Sequence, residues 1–183
     1  MPPQPTDQET ATAIPPDNRS PGRGIAIICH SVHHGNTMQI AKSMAEEFSA
    51  QGWTVELLDI EEAAAADLSQ YAMVGLGSGI YFGRHHPEIL KLAETINPPP
   101  QVVFLFSTAG LPFLKLLQHG ALRRRIKRRS ILIMGEHCCR GWDTVGPLWL
   151  MGGINRQHPN ATDLAKTRTF AHTLSQQLKE KSG

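Results

Sequence analysis

A short turn near the start of the chain is rich in groups that bind anions. It consists of Ser31, Val32, His33, His34, Gly35, Asn36 and Thr37. The turn offers two hydroxyls, one amide and two imidazoles, and its glycine lets the backbone approach an anion closely. If a helix starts where the turn ends, backbone N–H groups and the helix dipole add to the attraction. This chemistry suits a phosphate group.

The turn also has a simpler interpretation. Asn36 or Thr37 could merely cap the helix that follows, as such residues do in many helices. The position of the turn favours phosphate, because doubly wound α/β folds place phosphates between a buried first strand and the next helix. A protonated His33 or His34 would assist, and this interaction would weaken as the pH rises through the imidazole pKa.

The segments around the turn indicate one strand and one helix. Residues 24–29 form a continuous apolar run, which is typical of a parallel strand buried on both faces. Apolar residues then recur at helical spacing at Ile40, Ala41, Met44, Ala45 and Phe48. The sequence therefore predicts a buried strand followed by an amphipathic helix.

The same alternation continues along the chain. Further strands are predicted at 54–60, from 72 into a glycine-rich loop at 77–83, at 102–106, and from 131 to 134 or on to 138. Helices are predicted at 61–68, 87–96, 111–129 and from a cap at Asn160 to about 178. Five strands alternating with helices predict an α/β fold, a doubly wound five-stranded parallel sheet with helices on both faces. Ligands of such sheets bind beyond the carboxyl ends of the strands.

Three ordered segments resemble the flavodoxin family. The first strand, the turn ending in Gly35-Asn36-Thr37 and the helix look like its phosphate loop, and residues 77–83 and 106–110 match two further segments in order and spacing. The resemblance covers about residues 24–178. It implies a flavodoxin-like sheet of order 2-1-3-4-5 that holds FMN noncovalently, with the phosphate at the turn.

The resemblance also implies which residues contact the flavin. Besides the turn, they are Ser78, Gly79, Ile80, Tyr81, Phe82, Ser107, Thr108, Ala109, Gly110 and Trp142. Backbone atoms at Gly79 and Ile80 would set the potentials, and no catalytic side chain is required. Tyr81, Phe82 and Trp142 offer aromatic faces for stacking. Tyr81 could instead pack on the next helix, and Trp142 could anchor its loop.

The turn departs from the family pattern. His34 stands where a second threonine is usual, and either Val32 replaces the first hydroxyl residue or one inserted residue lets Ser31 serve. We expect electron transfer through FMN. Two alternatives stay open, an FMN-dependent NAD(P)H:quinone-type reductase and a flavin-free interaction protein, of which the last predicts a colourless protein.

The net charge of +2 and the pI of about 8.5 are too mild for a dedicated nucleic-acid binder. Charge is concentrated in Arg123–Arg129, which carries six cations in seven residues. This run is either a solvated helix end or a docking site for an acidic redox partner or an anionic membrane or nucleic acid. No aromatic residues interleave it, so nucleic acid ranks last.

Histidines and cysteines indicate no metal site and no disulfide. His30, His33, His34, His85 and His86 match no metal-binding spacing. The three cysteines lie in or beside apolar runs, which favours reduced thiols and a cytoplasmic location. The sequence shows no Ser-His-Asp pattern with a nucleophile context and no Gly-x-Gly-x-x-Gly in the first turn, so we expect neither a hydrolase nor a nicotinamide domain.

The length predicts one domain over 24–183, preceded by a proline-rich tail. The chain has 183 residues, enough for one core and short for two. Residues 1–23 contain six prolines among polar residues, a composition that predicts a disordered extension. No apolar run reaches the roughly 18 residues needed to cross a bilayer.

Overall fold

The computed structural model describes residues 24–31, 35–110, 112–141, 155 and 157–182. The predictions for the tail 1–23, for Val32, His33 and His34, and for Trp142 therefore lie outside the described residues.

Strands and helices alternate along the described chain. The strands are β1 (Gly24–His30), β2 (Thr54–Leu58), β3 (Met73–Tyr81), β4 (Arg84–His85), β5 (Val102–Ala109) and β6 (Leu132–Arg140). The helices are α1 (Asn36–Ala50), α2 (Ile60–Ala65), α3 (Pro87–Thr95), α4 (Lys115–Gln118), α5 (Gly120–Arg128) and α6 (Ala161–Ser182). Short 3₁₀ turns lie at Leu68–Gln70 and Pro112–Leu114. None of the helices so described is both long and apolar enough to span a bilayer.

The five long strands form one parallel sheet in the order β2-β1-β3-β5-β6. Counted without the two-residue β4, this order is the expected 2-1-3-4-5, and the α/β fold class is confirmed. β4 was not predicted, and it pairs antiparallel with the end of β3.

The glycine-rich segment after Met73 is mostly strand, where a loop from residue 77 was predicted. β3 continues to Tyr81, and a two-residue connection at Phe82 and Gly83, both with positive φ, leads into β4. The glycines are needed for packing, because a Cβ at Gly75 would lie 2.3 Å from the Phe104 ring of β5. A glycine that accommodates a ring on the neighbouring strand is indistinguishable in sequence from a loop glycine.

The single helix predicted at 111–129 is three separate helical segments in the structure. The structure has the 3₁₀ turn, then α4, then α5, and His119 lies between the two helices. His119 is fully buried, and its ring forms hydrogen bonds to two other elements. The break in the helix therefore coincides with a buried polar contact that periodicity does not reveal.

Each face of the sheet is covered by helices, which explains the continuous apolar strands. Ile25 and Ile27 of β1 pack with Phe48 of α1 and with Leu174 of α6 on one face. The alternate residues of β1 pack with α2, α3 and α5 on the other face. A strand that is buried on both sides has no polar face to show.

Side-chain to backbone hydrogen bonds secure two helix ends. Asn160 and Asp163 form reciprocal side-chain to backbone hydrogen bonds of 3.1 Å, which confirms the predicted cap of α6. The Arg129 guanidinium, just beyond α5, donates to the carbonyls of Ala93 and Ile96 at the end of α3. One residue of the basic run therefore caps a neighbouring helix.

Candidate functional site

The anion-binding turn ends in a left-handed glycine. Gly35 has φ 66° and ψ 10°, and α1 begins at Asn36. Among the described residues no side chain caps this helix, and its first turn contains no acidic residue. The structure contradicts the simpler interpretation, because the N-cap residue of α1 is Gly35 and neither Asn36 nor Thr37 caps the helix. The end of α1 therefore keeps its attraction for an anion.

Asn36 and Thr37 instead join the turn to other strand ends. Both side chains are buried, and the Thr37 hydroxyl lies 2.8 Å from the Thr108 hydroxyl at the end of β5. Gly141 after β6 completes the junction, since its N–H donates to the Ala109 carbonyl at 3.1 Å. A Cβ at Gly141 would lie 2.9 Å from the Thr108 Cβ and 3.2 Å from the Asn36 Nδ2. The ends of three chain segments thus meet at one sheet edge.

Ser31, at the start of the turn, carries an orphaned hydroxyl. Its Oγ is buried and has no hydrogen-bond partner among the residues that the structure describes. A buried hydroxyl without a partner costs about 1–3 kcal/mol. Together with the uncapped start of α1, this orphaned hydroxyl fits a ligand with a phosphate group.

Aromatic rings line the neighbouring end of β3. The Tyr81 ring covers Gly79, where an added Cβ would lie 2.9 Å from the tyrosine oxygen. Tyr81 also meets His86 edge-on, with ring centroids 5.5 Å apart, and His86 lies against His30 at 4.0 Å. At the hairpin tip, Phe82 is 86% exposed, with φ 48°. One ring is thus packed at the site and one is available to a ligand.

Ser78 and Ser107 occupy paired positions on β3 and β5, but their hydroxyls are already engaged. Both residues are fully buried. Ser78 Oγ lies 3.0 Å from His85 Nδ1, and Ser107 Oγ lies 2.7 Å from His119 Nε2. These two residues could therefore contact a cofactor only through their backbone atoms.

Ser107 is the inner end of a hydrogen-bonded chain that sequence analysis missed. His119 Nδ1 lies 3.0 Å from Glu136 Oε2, and Arg123 binds both oxygens of that carboxylate at 2.7 Å. This is the Ser-His-acid connectivity that the sequence seemed to lack, although a fully buried serine is out of reach of a substrate. Glu136, the one carboxylate of β6, was the available signal.

The charges in this chain follow from burial and from the arginine. Burial is the largest influence on Glu136 and favours its neutral form, yet the Arg123 guanidinium outweighs burial and lowers the carboxyl pKa. Burial lowers the pKa of His119 to about 4, against the opposing effect of Glu136, and lowers the pKa of His85 further below its usual range. At neutral pH both imidazoles are neutral beside an ionised carboxylate.

Some of the other residues predicted to contact the flavin are described by the structure, and some are not. Ile80 pairs with His85 in the hairpin, Ala109 is buried, and the Gly110 carbonyl accepts from Asn155 Nδ2 at 2.9 Å. Trp142 and the three central turn residues lie outside the described residues. The remaining predicted residues come together along the carboxyl ends of β1, β3 and β5.

A cavity of about 360 Å³ lies beside the end of β6 and the start of α6. Its lining includes His137, Arg140, His158, Asp163 and Lys166. Sequence analysis did not identify it, because its lining joins residues more than twenty positions apart.

The cysteines are free thiols, as expected. Burial raises the pKa of both Cys29 and Cys139 to about 12, so these thiols stay protonated and unreactive. Within the described ranges, no group of three or more His, Cys, Asp or Glu residues could hold a metal ion.

Comparisons with known proteins agree with this architecture. A model of the flavodoxin domain matches residues 27–109. An uncharacterized protein of Methanocaldococcus jannaschii is 40% identical over 148 residues, which are 81% of this chain and 95% of that protein.

Solved structures share the fold at low sequence identity. Flavodoxin 2 from Bacillus cereus superposes with a TM-score of 0.63 at 20% identity, over 84% of this chain and 99% of that one. Rubredoxin oxygen:oxidoreductase from Desulfovibrio gigas gives 0.62 at 18% identity, over 89% of this chain. The chain spans only 38% of that larger protein.

Proposed function

Because this chain belongs to the flavodoxin family, we propose that it binds FMN noncovalently at the carboxyl edge of its sheet and acts in electron transfer. The observation that carries the proposal is the turn before α1, where the orphaned Ser31 hydroxyl meets a helix start without a cap. The FMN phosphate would satisfy both.

The remaining residues have separate roles in this proposal. Backbone atoms of Gly79 and Ile80, together with the segment from Thr108 to Gly110, border the flavin ring. Phe82 supplies an aromatic face, and Trp142 is a second candidate. FMN itself supplies the redox chemistry, and the protein supplies position and electrostatics. The free thiols are consistent with a cytoplasmic location.

An aspartate at Gly35 should weaken FMN binding strongly. Its carboxylate would repel the phosphate, and its side chain would strain a residue with φ 66°. We expect the parent to keep flavin absorbance after incubation with excess FMN and desalting, and Gly35→Asp to lose at least about tenfold in affinity, roughly 1.4 kcal/mol.

Gly52→Asp is the matched control. Gly52 lies at the other end of α1 with φ 88°, and an added Cβ at either glycine meets no atom within 4 Å. The control therefore imposes similar strain away from the site and should retain FMN. A colourless parent would favour a flavin-free interaction protein. Unchanged FMN affinity in Gly35→Asp would place the phosphate elsewhere.

Steady-state kinetics of the loaded protein test the role in electron transfer. A carrier should show negligible turnover when NAD(P)H is the only electron source. Ping-pong kinetics with a quinone would instead identify a reductase.

The basic run is the proposed docking site for an acidic redox partner. The run divides into two sets. Arg123 pairs with Glu136, Arg125 pairs with Glu94 at 2.6 Å, and Arg129 caps α3. The other three, Arg124, Lys127 and Arg128, are exposed and bind no residue that the structure describes. These three are therefore the charges available to a partner.

Reversing those three charges should slow electron transfer to an acidic partner. With a small acidic iron–sulfur protein as acceptor, we expect the Arg124→Glu, Lys127→Glu, Arg128→Glu variant to react about 10-fold or more slowly at low salt. The rate should also lose its dependence on ionic strength. Reversal of Lys42, Lys91 and Lys179 gives the same net charge elsewhere on the surface. Equal effects of the two variants would contradict a local docking site.

A further inference from the structure

Two buried histidines lie directly behind the strand ends where the flavin is proposed. His85 and His119 are fully buried, and their ring centroids are 4.7 Å apart. Each is bonded to a serine in one of the proposed flavin-bordering segments, Ser78 in β3 and Ser107 in β5. Both rings are therefore close to any charge that develops on a bound flavin.

His85 holds a proton acceptor that no donor satisfies. The Ser78 hydroxyl donates to the Gly79 carbonyl at 2.8 Å, so the bond with His85 places the proton on Nδ1 of that imidazole. His85 Nε2 then carries a lone pair, and it has no partner among the described residues although it is buried. Such an orphaned group requires an explanation.

His119 links this acceptor to the surface. Its Nδ1 contacts Glu136, whose side chain is 17% exposed, and Glu136 contacts Arg123, which is 24% exposed. The charges around the two rings come from every neighbouring element. Glu136 of β6 favours a protonated imidazole, whereas Lys115 of α4 and Arg123 of α5 oppose it. The neutral pair is thus surrounded by groups of both signs.

We infer that His85 and His119 form a redox-linked protonation site, which takes up one proton from solvent when flavin beside Ser78 and Ser107 is reduced. The inference rests on the proposed function. Two electrons from a reductant and one proton convert oxidised flavin to its reduced anion. A second proton forms an N–H bond at Nε2 of one of the two imidazoles, so the added negative charge is balanced inside the protein.

Burial holds both imidazoles neutral before reduction, since it lowers the pKa of His119 to about 4 and that of His85 well below its usual value. A new negative charge within about 4–6 Å raises a pKa by about one to three units. By linkage, proton uptake then makes flavin reduction easier as the pH falls.

The test is a histidine ¹⁵N NMR titration of the FMN-loaded protein between pH 4 and 8, oxidised and then reduced with dithionite. We expect the pKa of His85 or His119 to rise by at least about one unit on reduction. His137 is an internal control, because it bonds Thr167 on the opposite face of the sheet and should shift less. Unchanged titration of both His85 and His119 in a protein that retains flavin absorbance would overturn this inference alone. A protein that retains no flavin would overturn the proposed function as well.

A variant pair gives a second readout. The Nδ2 of asparagine in His85→Asn can still donate to Ser78, but the variant lacks the basic ring nitrogen, and an amide oxygen does not take up a proton in this pH range. Proton uptake per flavin reduced at pH 5.5, measured with an indicator dye, should fall in His85→Asn and not in His137→Gln. Equal uptake in the parent and both variants would contradict the assignment.

Discussion

Replacing Phe104 by alanine is expected to lower the free energy of unfolding by about 3–5 kcal/mol. Phe104 lies in β5, and its ring is fully buried on one face of the sheet. It contacts Phe48, Phe106 and Phe170 with ring centroids 5.7, 5.9 and 6.2 Å apart. Truncation would leave a cavity between the sheet, α1 and α6, which urea denaturation would detect.

A double-mutant cycle with Gly75 tests whether the Phe104 ring packs directly on this glycine. In the parent, Gly75→Ala would place a Cβ 2.3 Å from the Phe104 ring and should cost about 1–3 kcal/mol or more. In the Phe104→Ala background the ring is gone, so the same change should cost far less. We expect a favourable coupling energy of at least about 1 kcal/mol in this double-mutant cycle. Additive losses would show that the glycine is required for another reason.

Acidification should destabilise the protein well above the pH at which carboxylates titrate. Burial lowers the pKa of His119 and of His137 to about 4, and that of His85 well below its usual value. In the unfolded chain these imidazoles take up protons below pH 6.5. Stability is therefore full above pH 6.5 and is lost as the pH falls toward 4.

The expected loss is large. Each neutral histidine contributes up to about 1.4 kcal/mol per pH unit in this window, so three of them amount to on the order of 5 kcal/mol at pH 5. This approaches the whole stability of many domains. Urea midpoints at pH 7, 6 and 5 would measure it. His137→Gln should remove about one third of the slope, and a midpoint independent of pH from 7 to 5 would contradict the prediction.

Much of the fold could be predicted from local sequence. Continuous apolar runs identified the buried strands, helical spacing identified α1, and Asn160 with Asp163 marked the start of α6. These signals are local, because they depend on neighbours within four residues. The alternation of elements then limits the possible topologies to a few.

What could not be predicted depends on contacts between distant segments. Gly77, which was predicted to begin a loop, lies in β3, where the Phe106 ring 29 positions later covers it. The chain from Ser107 to Glu136 joins β5, the break before α5, and β6. No periodicity relates these residues. The sequence therefore predicted a candidate site at three strand ends, whereas the buried polar layer behind these ends was visible only in three dimensions.

The division of the basic run has a consequence for how this surface can diverge. Arg123, Arg125 and Arg129 are tied to the fold, whereas the side chains of Arg124, Lys127 and Arg128 form no hydrogen bond or ion pair with the described residues. Selection can change the sign of the second set without altering the scaffold that the first set maintains. A lineage, or a protein engineer, could retarget the surface at three codons while preserving the three arginines that support the fold.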